Sequence, residues 1–183
     1  MTGRRPLVLV VSGSECTGKT TLARELAAGF GAPCSVEFAR EYLVRKSAPL
    51  VADDVEPIAR GQMEQEDAAV RAASVVAVKD TDLVSTVVYA RHYYQWCPAW
   101  IEQAAAARLG DLYLLLHPDV PWVADGLQRD RPDDRDLLHG LFRRRLRDLG
   151  ADMVDITGTW PARRRLAFDA VRRLLASRGQ SRL

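Results

Sequence analysis

The chain alternates short, nearly continuous apolar runs with longer stretches in which apolar residues recur every three or four positions. The runs are residues 7–12 (LVLVVS), 34–38 (CSVEF), 75–79 (VVAVK), 112–116 (LYLLL) and 152–156 (DMVDI). A strand with one face in water would alternate apolar and polar residues, so these runs predict strands covered on both faces. Residues 19–30 carry Leu22, Leu26 and Phe30 at helical spacing and stop at Gly29 and Gly31. A helix over 53–73 opens on Asp53-Asp54 with Pro57 near its first turn, both good opening signals. Further helices are expected over 86–95, 99–108, 134–148 and 161–177. Strands alternating with helices predict an α/β fold around a parallel sheet. The interval 117–133, HPDVPWVADGLQRDRPD, is rich in Pro, Gly, Asp and Arg and reads as a mobile loop. There is no internal repeat or low-complexity linker, so a single domain over 1–183 is expected.

Composition changes this picture little. A length of 183 residues suits one α/β domain with a real core. The net charge of +2 lacks the basic excess of a nucleic-acid binder. No run approaches the ~20 apolar residues that span a bilayer, so no membrane partner is expected. The start, MTGRRPLVLVV, has the charge of a signal peptide, but its apolar run passes into a Gly-Lys-Thr loop instead of a cleavage site. Cys16, Cys34 and Cys97 are odd in number and scattered, which points to reduced thiols and a cytoplasmic location.

The first run leads into Gly13-Ser14-Glu15-Cys16-Thr17-Gly18-Lys19-Thr20-Thr21, which fits G-x-x-x-x-G-K-[ST]. Glycines let the backbone curl so that successive N–H groups face an anion. Lysine reaches the outer phosphates, and the next hydroxyl ligates Mg²⁺. The following helix turns the positive end of its dipole toward the same point. Gly13 to Thr21 are therefore the expected phosphate-binding loop of a nucleotide site, with Lys19 catalytic and Thr20 a metal ligand. Lysine occurs elsewhere only at 46 and 79, in a chain that otherwise uses arginine. A compact ammonium fits between phosphates where a planar fork does not. Cys16 reads as a small side chain at a variable loop position.

Carboxylates follow at strand ends, where open α/β sheets bind ligands. Asp80 follows the third run and suits either Mg²⁺ held through water or acceptance of a hydroxyl proton. Asp82 suits a sugar hydroxyl or, equally, a helix cap. Glu37 closes the second run, with Arg40 and Glu41 next on a loop or first turn. Arg129 and Arg131 lie in the loop after the fourth run, and arginines on a closing lid neutralise a transferring phosphoryl group. The later RRRLR at 143–147 reads as a solvated helix face.

Together GSECTGKTTLARELA, EFAREYL, DTDLVSTVVY and LYLLLHPDVPWVADGLQRDR resemble the ribosylnicotinamide kinase domain of NadR-type proteins, similar in turn to nucleoside and nucleoside monophosphate kinases. The resemblance covers nearly the whole chain; ITGTWPARRRLAFDAV looks like the adenine-side loop and last helix. It implies a P-loop NTPase fold with strand order 2-3-1-4-5, helices on both faces and a lid at 117–133. It implies ATP and Mg²⁺ as cofactors and transfer to the 5′-hydroxyl of nicotinamide riboside, a small-molecule nucleoside. The implied roles are Lys19 and Thr20 on phosphates and Mg²⁺, and Asp80 as base or metal partner. Glu37, Arg40 and Asp82 fall on substrate, and Arg129 and Arg131 on the lid.

Full-length members also carry a helix-turn-helix segment and an adenylyltransferase H-x-G-H motif. The sequence contains neither, and His92, His117 and His139 are isolated along it. The aromatic residue that the family has before the E-[YF]-x-R-E segment is Val36 here. Ring stacking then falls to Tyr42, Tyr93, Tyr94 or Trp122. Two other readings stay open: a kinase for another nucleoside or nucleotide, and a nucleotide-dependent switch or regulatory ATPase. A homo-oligomer is compatible with the sequence.

Overall fold

The five apolar runs form one parallel sheet. A computed structural model describes residues 5–123 and 132–180. The strands are β1 (Leu7–Gly13), β2 (Cys34–Ser35), β3 (Val76–Asp80), β4 (Leu112–Leu116) and β5 (Met153–Ile156), in the order β2-β3-β1-β4-β5. This is the expected order, and with the loop after β1 it is a P-loop kinase-like fold. The helices are α1 (Lys19–Phe30), α2 (Phe38–Lys46), α3 (Val55–Ala72), α4 (Leu83–Tyr94), α5 (Ala99–Ala107), α6 (Arg135–Asp148) and α7 (Trp160–Gln180).

Side chains alternate across β1. Leu7, Leu9 and Val11 join Leu22 and Leu26 of α1 and Val171 of α7 in one core. Val8 and Val10 join Val84 and Val87 of α4, Ile101 of α5 and Phe142 of α6 in the other. Burial on both faces explains why these strands are apolar runs, at about 25 cal/mol per Å² removed from water. On β3 the same period turns Val76 and Val78 toward α1. Lys79 turns the other way, onto Glu66 of α3 at 2.7 Å.

Three elements differ from expectation. The second strand is only two residues long, because the chain leaves the sheet after Ser35 and Glu37 becomes the residue before α2. Helix α2 itself was expected as a loop or first turn. It buries only Leu43, so it lacks an apolar stripe. Its seat is instead Gly61 of α3, where an added Cβ would lie 2.1 Å from the Phe38 ring. Helix α4 starts at Leu83 rather than 86, because the Asp82 side chain caps it by accepting from Val84 N–H at 3.0 Å.

Candidate active site

The loop between β1 and α1 is built for close approach. Gly13 has φ 137°, and a Cβ there would stand 2.7 Å from the Leu116 carbonyl oxygen. Gly18 has φ 89° under the Trp160 ring, which a Cβ would meet at 2.8 Å. Only glycine satisfies both conditions at each position. Helix α1 opens with no side-chain cap and no acidic residue in its first turn, so its end N–H groups and dipole are left for an anion. The Lys19 ammonium is held within the loop by the Ser14 carbonyl at 2.8 Å, and the Thr17 hydroxyl donates to the same oxygen at 2.9 Å. Arg163 of α7, fully buried, braces the loop from behind. It donates to the carbonyls of Thr17 (3.0 Å), His117 (2.8 Å) and Gly158 (2.8 Å).

Asp80 ends β3 beside β1, in register with Val11. It is the third residue of the Val76, Val78 series and so faces α1, where the Thr20 hydroxyl donates to it. Its Oδ1 is buried without a partner. Burial pushes the carboxyl above the ordinary range, and Glu37 pushes the same way. The Thr20 hydrogen bond and the charges of Lys19 and Arg40 pull it back only in part. Thr81 follows in the left-handed region at φ 67°, its N–H held by the Val11 carbonyl at 3.0 Å. A β-branched residue in that region is strained, and the strain sits where the strand delivers its carboxylate.

Next to this edge lies a cavity of about 330 Å³. Its polar wall includes Glu15, Glu37 and Gln62, and its aromatic wall Tyr89, Tyr93 and Tyr94. Tyr89 and Tyr93 stack nearly parallel, with centroids 6.0 Å apart and 4° between planes. Arg40 lies 3.9 Å from Glu37, which lines the cavity.

The sequence-derived candidates therefore divide. Lys19, Thr20, Asp80, Glu37 and Arg40 converge on one edge of the sheet. Asp82 does not join them. It is 3% exposed, and its second oxygen accepts from the Tyr113 hydroxyl at 2.5 Å, so its carboxylate serves the helix cap and the core and not a sugar hydroxyl. Of the aromatic residues, Tyr93 and Tyr94 line the cavity, whereas Tyr42 donates to Asp54 at 2.9 Å and faces another groove. Trp122 is not part of the cavity wall. Arg129 and Arg131 lie outside the described residues.

A family model described as AAA domain matches residues 8–163. The chain belongs to that family. It is also similar to the trifunctional NAD biosynthesis/regulator protein NadR of Escherichia coli, with 32% identity over 139 residues, 71% of this chain and 34% of that protein. The chain thus spans about a third of the length of the curated relatives it matches. Among solved structures it is similar to a NadR protein in complex with NR, at TM-score 0.81 and 29% identity, covering 91% of this chain and 50% of that one. A NadR protein in complex with NAD and AMP-PNP matches at TM-score 0.77 and 28% identity, covering 91% and 48%.

Three members of the site escaped the sequence. Gln62 accepts from the Phe38 N–H at 3.0 Å and so ties α3 to the start of α2. Its signal was available: a polar residue among Ile58, Ala59 and Ala69 on the inner face of a helix. Tyr89 sits one turn before Tyr93 and ends the stretch DTDLVSTVVY, but it was not among the aromatic residues expected to stack. Arg163, one of three successive arginines, has no local signal at all.

Proposed function

We propose that this chain is an ATP-dependent kinase that phosphorylates the 5′-hydroxyl of nicotinamide riboside, giving nicotinamide mononucleotide. The observation that carries the reading is the cavity beside Asp80, which combines two glutamates with three tyrosines. Nicotinamide riboside bears a fixed pyridinium charge. A negative field and an aromatic wall favour such a ring, at roughly 0.5–2 kcal/mol per cation–π contact. The similarity to a NadR protein in complex with NR supports the same acceptor, and the one in complex with AMP-PNP supports ATP as donor.

In this reading Gly13 to Thr21 cradle the triphosphate with backbone N–H groups, and Lys19 leaves the Ser14 carbonyl for the β- and γ-phosphates. The acceptor lies along the tyrosines, its 5′-oxygen in line with the γ-phosphorus. The O5′–Pγ bond forms, the bond from Pγ to the β,γ-bridging oxygen breaks, and ADP leaves. Asp80 takes the hydroxyl proton on its unpartnered Oδ1. Thr20 and, through water, Asp80 fit a Mg²⁺ ion, since a hydroxyl and a buried carboxylate oxygen without a partner adjoin there. When bound, that ion neutralises charge on the phosphates. Arg129 and Arg131 add lid cations. Gln62 keeps α2, and with it Glu37 and Arg40, against the cavity.

The test is an acceptor screen with purified protein, ATP and Mg²⁺, resolving nicotinamide mononucleotide and ADP. Stoichiometric formation of both from nicotinamide riboside is the expected result. ADP release without any acceptor would favour a regulatory ATPase instead.

A further inference from the structure

Two of the three histidines that stand apart along the chain, His117 and His139, meet in space. His117 follows β4, Asp155 lies on β5, and His139 comes from α6. The His117 and His139 rings are 4.1 Å apart, and one ligand atom from each of the three residues lies within 4.8 Å of the other two. Arg143, one helical turn after His139, inserts a single nitrogen among them. Its Nη2 is 2.5 Å from Asp155 Oδ1, 2.9 Å from His117 Nε2 and 3.5 Å from His139 Nε2.

A guanidinium nitrogen only donates, so an imidazole Nε2 that pairs with it accepts and its ring is the Nδ1–H tautomer; the His117 contact is the closer at 2.9 Å and the His139 contact reaches 3.5 Å. Nη2 carries two hydrogens, yet three acceptors converge on it, one more than it can satisfy. Two neutral imidazoles and a carboxylate aimed at one point are what a divalent transition-metal ion requires. His117 Nε2 and Asp155 Oδ1 are already 3.3 Å apart, about the ligand spacing of a tetrahedral site with bonds near 2.0 Å. Arg143 is partly exposed and has solvent into which to withdraw.

We propose that His117, His139 and Asp155 form a site for a divalent transition-metal ion such as Zn²⁺, with Arg143 as the cation that holds the site until the metal displaces it. The site joins the ends of β4 and β5 to α6, on the opposite side of β1 from β3 and its Asp80, and is independent of which acceptor the enzyme uses.

The experiment uses the full chain without an affinity tag, chelator-treated, in excess Mg²⁺ so that hard-cation sites are filled. Co²⁺ is titrated and followed by its visible ligand-field absorption, then displaced with Zn²⁺. One Co²⁺ per chain is expected for the parent protein. Arg143→Ala should bind about tenfold tighter, because the competing cation is gone. His117→Gln and Asp155→Asn, neither at a fully buried position, should each bind at least about tenfold more weakly. No absorption band in the parent protein, or an affinity that neither His117→Gln nor Asp155→Asn changes, would overturn the proposal. So would binding seen only in Arg143→Ala.

Discussion

The Thr20 hydroxyl donates to the Asp80 carboxylate, joining the first turn of α1 to the end of β3. That bond and the Lys19 charge do not offset the cost of burying Asp80, whose pKa stays above the ordinary value. The folded protein therefore holds this proton more tightly than the unfolded chain. The residue's contribution is favourable below the unfolded-state pKa and is lost as pH rises through the raised one. Asp80→Asn should accordingly melt at a higher temperature than the parent protein at pH 7–8. The difference should close as the pH falls toward the ordinary value of 3.8. In the same variant kcat should fall by roughly 10²–10⁴, the usual worth of general-base help. Calorimetry and initial rates on one preparation read both effects. An Asp80→Asn protein that loses stability and keeps its rate would contradict this assignment.

Lys19 is held by a loop carbonyl and adds nothing to either core. Lys19→Ala should keep its circular dichroism spectrum and melting temperature while ATP turnover disappears. Thr20→Ala should chiefly raise the Mg²⁺ concentration needed for half-maximal rate. Full turnover in a folded Lys19→Ala protein would remove the phosphate-loop assignment.

Gly61 carries α2, and with it Glu37 and Arg40. Its backbone is helical, so alanine there is conformationally acceptable, but the new methyl would overlap the Phe38 ring. Gly61→Ala should raise KM for the acceptor more than KM for ATP. Phe38→Leu in the same chain should restore part of the loss. Additive effects in this double-mutant cycle would show that the two positions do not act through one contact.

Lys79 and Glu66 form a pair that is 4% and 1% exposed, with Arg108 3.7 Å from the same carboxylate oxygen. Lys79→Met should cost about 3 kcal/mol in denaturant unfolding, because it strands a buried carboxylate. The double variant Lys79→Met with Glu66→Gln should recover most of that loss. Equal instability of single and double variants would place the cost in packing instead.

Much of this was legible in the chain, for physical reasons. Strands buried on both faces must be apolar throughout, so β1, β3 and β4 stand out along the sequence, and a phosphate loop needs glycine and lysine at fixed spacing. Helix α2 was hidden because one aromatic ring over one glycine, and not an apolar stripe, seats it. Asp80 and Asp82 are two positions apart and look alike, yet one ends a strand facing α1 and the other caps α4 against Tyr113. Which carboxylate meets the ligand depends on where the strand ends, and that is set by register with β1. Lysine gave a partial signal. Lys19 stands in the phosphate loop, but Lys46 and Lys79 also have particular work, as partners of Asp54 and Glu66. The meeting of His117, His139 and Asp155 needs the β4–β5 pairing and the seat of α6, neither of which is local.

The most direct measurement is kcat/KM for nicotinamide riboside against a neutral nucleoside such as thymidine, with the parent protein and with Glu37→Gln. The glutamate–tyrosine cavity favours the cationic ring, so nicotinamide riboside should be preferred over every neutral nucleoside, and Glu37→Gln should narrow that preference. A neutral nucleoside preferred by the parent protein, with Glu37→Gln leaving the ratio unchanged, would contradict the assignment of the acceptor.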